Sequence, residues 1–191
     1  SFFNEELDQS FLELSELSLL NGAISEGFLG YIQENNLQQI QILSGQTISQ
    51  SGVVSTELID VEKQDDTLKV VLENSQFPNS FIIISQSILN LNNLEGGFLN
   101  IKARFLDKEK PMYFIFMCGF DCMATLDLSN YFSESNEFSD YSIPLSCLVD
   151  QGVDLSKVNI PFILMSEGPL DVELRSINFA KNKTGKLFRC N

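Results

Sequence analysis

At 191 residues, with 43% hydrophobic and 20% charged side chains, the chain is long enough for one domain that buries about 70% of the surface its unfolded form exposes. Twelve Lys and Arg stand against 26 Asp and Glu, a net charge of −14 that repels phosphate backbones and anionic lipid and argues against nucleic acid as a partner. No apolar run approaches the ~20 residues needed to cross a bilayer, and the absence of histidine removes imidazole-activated nucleophiles, histidine acid–base chemistry and histidine-bearing zinc sites.

Ser1 is neither an initiator methionine nor the start of a basic and apolar signal segment, so the chain is expected to be a mature product or an excised piece. Residues 1–36 read as a lead-in, in which Phe11, Leu12, Leu14, Leu17, Leu19 and Leu20 show no strand alternation before Gly22, Gly27 and Gly30. Such a segment either packs on a preceding domain or folds back onto its own. From Leu37 the pattern turns to strands. Ile40 and Ile42 alternate with Gln39 and Gln41, and Leu68, Val70 and Leu72 lie opposite Thr67, Lys69 and Val71. Phe81 to Ser85 is a continuous apolar run. Leu99, Ile101, Ala103 and Phe105 alternate with Asn100, Lys102 and Arg104, which predicts a strand with one wet face. Turn residues fall at Phe77-Pro78-Asn79, Gly96-Gly97 and 107–111.

Met112 to Cys118 is apolar or weakly polar throughout and predicts a strand covered on both faces, broken at Gly119 by a loop with cysteines at 118 and 122. Beyond it come YSIPLSC (141–147), QGVDLSKV (151–158) and IPFILMSEGPLDVELRSINF (160–179). In the last of these Leu170, Val172 and Leu174 share one face, but Ile177 and Phe179 fall in the opposite phase. One extra residue near Arg175-Ser176, a β-bulge, would return both sets to the core. Residues 182–191 are basic and read as a tail. Strand patterns recurring without a convincing long helix predict an all-β fold, an antiparallel two-sheet β-sandwich of the jelly-roll kind over residues 37–181.

The order of these pieces carries a resemblance. Cys118-Gly119-Phe120-Asp121-Cys122 followed by Leu126-Asp127-Leu128, then the isoleucine-proline-leucine-serine-cysteine strand, the glycine-valine-aspartate-leucine-serine-lysine-valine loop and the proline-phenylalanine strand, resembles the C-terminal galactose-binding-like domain of bacterial glycoside hydrolase family 3 exo-β-glucanases and β-glucosidases. It covers about 111–180 and extends toward Val53. One departure is that the family usually has a tryptophan before the isoleucine-proline strand, where this chain, which has no tryptophan, offers Phe138 and Tyr141. The resemblance implies a galactose-binding-like jelly roll without catalytic residues of its own, with the catalytic domains of the same polypeptide as partners, in an exported, periplasmic or extracellular protein. Residues 1–36 would then be the connection from a preceding catalytic domain. In an exported protein Cys118 and Cys122 are expected as a disulfide rather than a redox pair. Cys147 reads as a buried free thiol, and the state of Cys190 stays open.

The remaining chemistry is thin. The cysteine spacing lacks the paired short intervals of zinc ribbons, and a pair of carboxylates for glycoside hydrolysis is recognised by geometry, which a sequence does not give. Contact with a β-glucan oligosaccharide or polysaccharide would need aromatic faces and polar side chains. Tyr131 is the best of four tyrosines for a stacking platform, but reads first as structural and second as a sugar contact. Asp60, Gln64 and Asp65 lie in the densest group of oxygen ligands, which reads first as a solvated turn, second as a sugar contact and third as a calcium site, opposed by Lys63 in its middle. The sequence thus leads to a non-catalytic accessory domain, with an independent carbohydrate-binding module as the alternative.

Overall fold

The computed structural model describes residues 16–21, 24–25, 27–33, 36–40, 42–43, 46–47, 54–58, 66–72, 78–108 and 111–190. Strands dominate them: β1 (Glu16–Asn21), β2 (Ile24–Ser25), β3 (Gly27–Gln33), β4 (Asn36–Ile40), β5 (Ile42–Leu43), β6 (Gln46–Thr47), β7 (Val54–Leu58) and β8 (Asp66–Leu72) in the first part. Then follow β9 (Asn79–Ser85), β10 (Phe98–Lys108), β11 (Met112–Met117), β12 (Met123–Asp127), β13 (Ser139–Pro144), the one-turn helix α1 (Ser146–Val149), β14 (Ile160–Ser166), β15 (Leu170–Ala180) and β16 (Lys186–Leu187).

Two sheets form the sandwich. The larger runs β16-β13-β10-β15-β1-β2, with β8 also beside β15 and β7 beside β8; the smaller runs β12-β11-β14-β9-β3-β4. All pairings between these strands are antiparallel except β13 with β16, which is parallel. The predicted alternation places the core: Leu99, Ile101, Ala103 and Phe105 of the larger sheet and Phe114, Phe116, Phe81 and Phe162 of the smaller are all buried. Phe116 meets Phe179 edge-on across the layers at 6.1 Å between ring centroids, and Phe105 stacks on Phe132 at 4.2 Å. Each such ring contributes roughly 1.5–3 kcal/mol by burial, and the paired geometries add a little more.

The expected bulge is present. Lys102 pairs with Ser176 and Ala103 with Leu174, which leaves Arg175 as the extra residue and puts Leu174 and Ile177 both into the core. Three expectations need correction. The strands start before residue 37, because β1 joins β15, β3 joins β9, and Leu19, Leu20 and Leu29 are buried in the common core. Residues 182–191 are not a free tail through 190: β16 pairs with β13 and Phe188 is buried. Gly185 makes this possible, since a Cβ there would collide with the backbone of Asp140. And β11 is not enclosed on both faces. Met112, Phe114 and Phe116 are buried, whereas Tyr113, Ile115 and Met117 keep partial exposure.

Candidate functional site

The two most distinctive motifs meet at one end of the smaller sheet. After β11 the chain turns at Gly119, whose φ of +132° suits glycine alone. The Cys118 N–H donates to the Cys122 carbonyl at 2.7 Å, and the two cysteines are bridged, their Cα atoms 5.0 Å apart. The Asp154 N–H points at both sulfurs, at 3.3 Å from Cys118 Sγ and 3.5 Å from Cys122 Sγ. The Asp154 carboxylate accepts the Ser156 N–H at 2.9 Å and pairs with Lys157 Nζ at 2.9 Å. Hydrogen bonds from Ser156 and then Lys157 hold its carboxyl down at about 2. The loop 151–158 is thus a self-bonded turn fastened to the cysteine loop, and it leaves Phe120 at the tip with 97% of its surface exposed.

Tyr131 sits at the other side of β12. Asp127 Oδ1 accepts the Ser129 N–H at 2.9 Å, and Ser129 Oγ accepts the Met112 N–H at 3.0 Å, which fixes the turn that delivers the tyrosine. Its ring is 7% exposed and packs against Phe132, Tyr141 and Phe188 with centroid separations of 5.2, 5.5 and 5.2 Å. The hydroxyl accepts the Ser142 N–H at 2.9 Å and faces the carbonyl oxygens of Ser142 and Lys186 with its proton. Lys186 Nζ donates back to the Tyr131 carbonyl at 2.6 Å. Burial lifts the phenol to about 12. Tyr131 is therefore a strut between β13 and β16, and the structural role expected ahead of a stacking platform is the one that this packing suits. Its ring lines a cleft of about 380 Å³ with Asp127, Asn130, Lys186, Leu187, Phe188 and Arg189. A second cleft of about 210 Å³ adjoins it at Asp127 and Phe188. There Gln151 accepts the Thr125 N–H at 2.9 Å and donates to the Thr125 carbonyl at 3.2 Å, capping the edge of β12 with a side-chain amide.

The wall of that second cleft is the other cysteine pair. Cys147 is bonded to Cys190, so the expectation of a free thiol is overturned. The even number of cysteines was a signal for this pairing, but Cys190 lay in a stretch read as a tail.

The outward face of the larger sheet carries a cluster that sequence reasoning missed. Arg104 Nε donates to Glu173 Oε2 at 2.5 Å, with Glu173 3% exposed, and Arg104 also donates to the Asn136 carbonyl at 3.1 Å. Phe138 lies with its ring centroid 3.9 Å from the Arg175 guanidinium carbon and 4.9 Å from that of Arg104. Next along the face, Asp171 stands 3.8 Å from Lys69, and its carboxyl is raised, chiefly by burial. The polar phases of β10 and β15 held the signal, since Arg104 and Glu173 each sit between core residues, but register alone brings them together. Asp60, Gln64 and Asp65 lie outside the described residues; the strands on either side, β7 and β8, close with Leu58 opposite Asp66. Among the described residues no group of three or more His, Cys, Asp and Glu could hold a metal ion, and no helix is long and apolar enough to cross a membrane.

The two antiparallel sheets packed face to face make a jelly-roll β-sandwich. The chain belongs to the galactose-binding domain-like family, whose model matches residues 29–179, so the resemblance read from residues 111–180 holds and extends toward the N-terminus. Among curated proteins none matches. Three solved structures share the fold. The exo-1,3/1,4-β-glucanase ExoP from a Pseudoalteromonas species superposes with a TM-score of 0.64 at 12% identity, over 90% of this chain and 21% of that one. The extra C-terminal domain (X) of the same enzyme gives 0.63 at 11%, over 91% of this chain and 98% of that one. The family 30 carbohydrate-binding module of the cellulosomal cellulase Cel9D-Cel44B of Clostridium thermocellum gives 0.62 at 13%, over 88% and 99%. The chain thus spans about a fifth of the whole β-glucanase and nearly all of its isolated extra domain.

Proposed function

We propose that this chain is a non-catalytic accessory domain of a family 3 exo-β-glucanase or β-glucosidase, packing on the catalytic domains of its own polypeptide and contributing to β-glucan binding. The observation that carries the reading is the near-complete overlay on an extra C-terminal domain of an exo-β-glucanase, together with the family match over 29–179. A chain without histidine, which removes imidazole-based acid–base and nucleophilic chemistry, suits a supporting role. The two disulfides suit an exported, periplasmic or extracellular protein.

For the glycan, the reading puts contacts on the outward face of the larger sheet around Phe138, Arg104 and Arg175, with Asp60, Gln64 and Asp65 as further candidates and Tyr131 contributing through the cleft it lines. Guanidinium and carboxylate groups there offer hydroxyl partners, and the ring offers an apolar surface. The same face supports the second reading, an independent module of the kind whose fold it shares. Deleting the domain from its parent enzyme separates the two: lower activity on oligosaccharides or a lower melting temperature is expected for an accessory domain. Full activity and unchanged melting with lost polysaccharide adsorption would make it an independent module. Release of glucose from laminarin by the isolated chain at an enzyme-like rate would overturn both.

A further inference from the structure

The two outward faces of the sandwich differ in chemistry. On the larger sheet the outward positions include Lys69, Lys102, Arg104, Asp171, Glu173 and Asn178, as expected of a face that meets water or a polar ligand. On the smaller sheet the outward positions of β11 and β14 are Tyr113, Ile115, Met117, Ile160, Ile163 and Met165, and β9 adds Ile82 and Ile84; Ile82 and Ile163 are buried among their neighbours, whereas the other six are partly exposed. An antiparallel sheet with a wet face alternates apolar with polar residues, and one that is apolar on both faces has something packed on each. Here one face is the core. The other continues at its end into Met123, 53% exposed and paired across strands with Met117, and then into Phe120 on its disulfide-fastened loop.

We propose that the outward face of the smaller sheet, with Phe120 as its anchor, is the surface on which this domain docks onto a second protein domain, one that is apolar opposite the sheet and basic at its rim. This rests on the accessory-domain reading and names the surface that reading requires. Four observations select this occupant. Among the described outward residues of β9, β11, β12 and β14 only Asp127, at one corner, is charged, so an anionic lipid or nucleic acid finds no cation there. Only Ser80 and Thr125 offer side-chain hydroxyls besides the Tyr113 phenol, too few polar groups to orient a sugar chain. The rim is acidic, with Asp121 beside Phe120, Asp127 at the corner and Glu167 after β14, which complements a basic rim and repels a second copy of a chain of net charge −14. Finally, the Ile and Met side chains match the apolar interior of a lasting interface, and the disulfide across the loop that carries Phe120 lowers the backbone entropy lost when that loop binds.

The test uses the 191-residue chain and, as probe, the polypeptide encoded immediately upstream in the same reading frame, expressed separately. Binding measured by calorimetry is expected to weaken at least tenfold in Phe120→Ser and in Met123→Lys, while Lys102→Ala on the opposite sheet binds as the parent does. Both altered positions are exposed, so circular dichroism melting should stay unchanged and show that the variants fold. Equal binding by all variants would overturn this surface and leave the accessory-domain reading standing. A reading frame with nothing upstream, or an upstream product without glycoside hydrolase activity, would overturn the accessory-domain reading and the proposal with it. Three other outcomes would overturn the surface alone: a Phe120-dependent dimer in sedimentation, Phe120-dependent adsorption to phosphatidylcholine vesicles, or Phe120-dependent retention by a β-glucan gel.

Discussion

Cys190 is bonded to Cys147 across a separation of 43 residues, with Cα atoms 5.4 Å apart, and it ties the last strand of the larger sheet to the turn after β13. By loop-closure entropy this bridge is worth up to about 4 kcal/mol, whereas the five-residue Cys118–Cys122 loop is worth about half as much. Cys190→Ser is expected to lower stability by about 2–4 kcal/mol, which for a domain of this size is a fall of roughly 4–16 °C in melting temperature. Non-reducing peptide mapping of the purified protein should show linked fragments for both pairs. Free thiols at 118 and 122 would remove the fastened loop on which Phe120 rests.

Tyr131→Phe removes the acceptor for the buried Ser142 N–H and the donor toward Lys186. A loss of about 1–3 kcal/mol is expected in urea titration, the cost of leaving a buried donor without a partner. The phenol also carries a pH signature. Its folded value of about 12 lies above the ordinary 10, so the neutral form is favoured on folding; stability is intact below pH 10 and falls between pH 10 and 12 as only the unfolded state ionises. The Phe variant should lose this part of the alkaline slope.

Arg104 and Glu173 should be unequal to mutation. Arg104→Ala leaves a carboxylate only 3% exposed without its guanidinium, and a loss of about 2–3 kcal/mol is expected. Glu173→Gln keeps an acceptor for Arg104 and removes the buried charge, so it should cost less. A thermal melt in which the Gln variant is the weaker would show that the pair's attraction outweighs its desolvation.

Asp171 runs the opposite way to a stabilising carboxylate. Its carboxyl is raised, first by burial, against the attraction of Lys69. The folded state then binds a proton more readily than the unfolded chain, so stability falls as pH rises from the ordinary carboxylate value through the raised one. Asp171→Asn should remove that fall and leave the protein at neutral pH as stable as the parent or slightly more so, by less than about 1 kcal/mol given its partial exposure. A marked destabilisation by Asn would mean that the Lys69 contact dominates.

Much of the sandwich was legible because a period of two is written by chemistry. Leu99 to Phe105 and Leu170 to Leu174 announce their inner face, and the phase break before Ile177 announces the bulge. The far ends of the domain were not legible for a physical reason. Leu19 and Leu20 are adjacent and both buried, because the register of β1 with β15 shifts between Ser18 and Leu20 and the simple alternation is lost. At the other end Phe188 and Cys190 are buried or bridged by long-range partners amid a run of basic residues, which local pattern cannot reveal. The sites suffered most. Phe138 stood out only beside Tyr141, as one of two aromatics offered in place of a tryptophan; that two guanidiniums meet its ring depends on three separate strands and loops.

Arg175 has one more property. Along 170–174, β15 has β8 at its side; along 176–180 it has β1, and the single residue that pairs with neither is Arg175. The bulge is thus the joint at which one strand changes companions on one side, while β10 runs the whole length of its other side and keeps the two halves in one sheet. The extra residue is what puts Leu174 and Ile177 both into the core, so deleting Arg175, like a one-residue change at Val172 or Asn178, would turn half of the strand inside out. The seam is also where the cation over Phe138 is mounted, so the residue that corrects the phase of the core also furnishes the polar face above it.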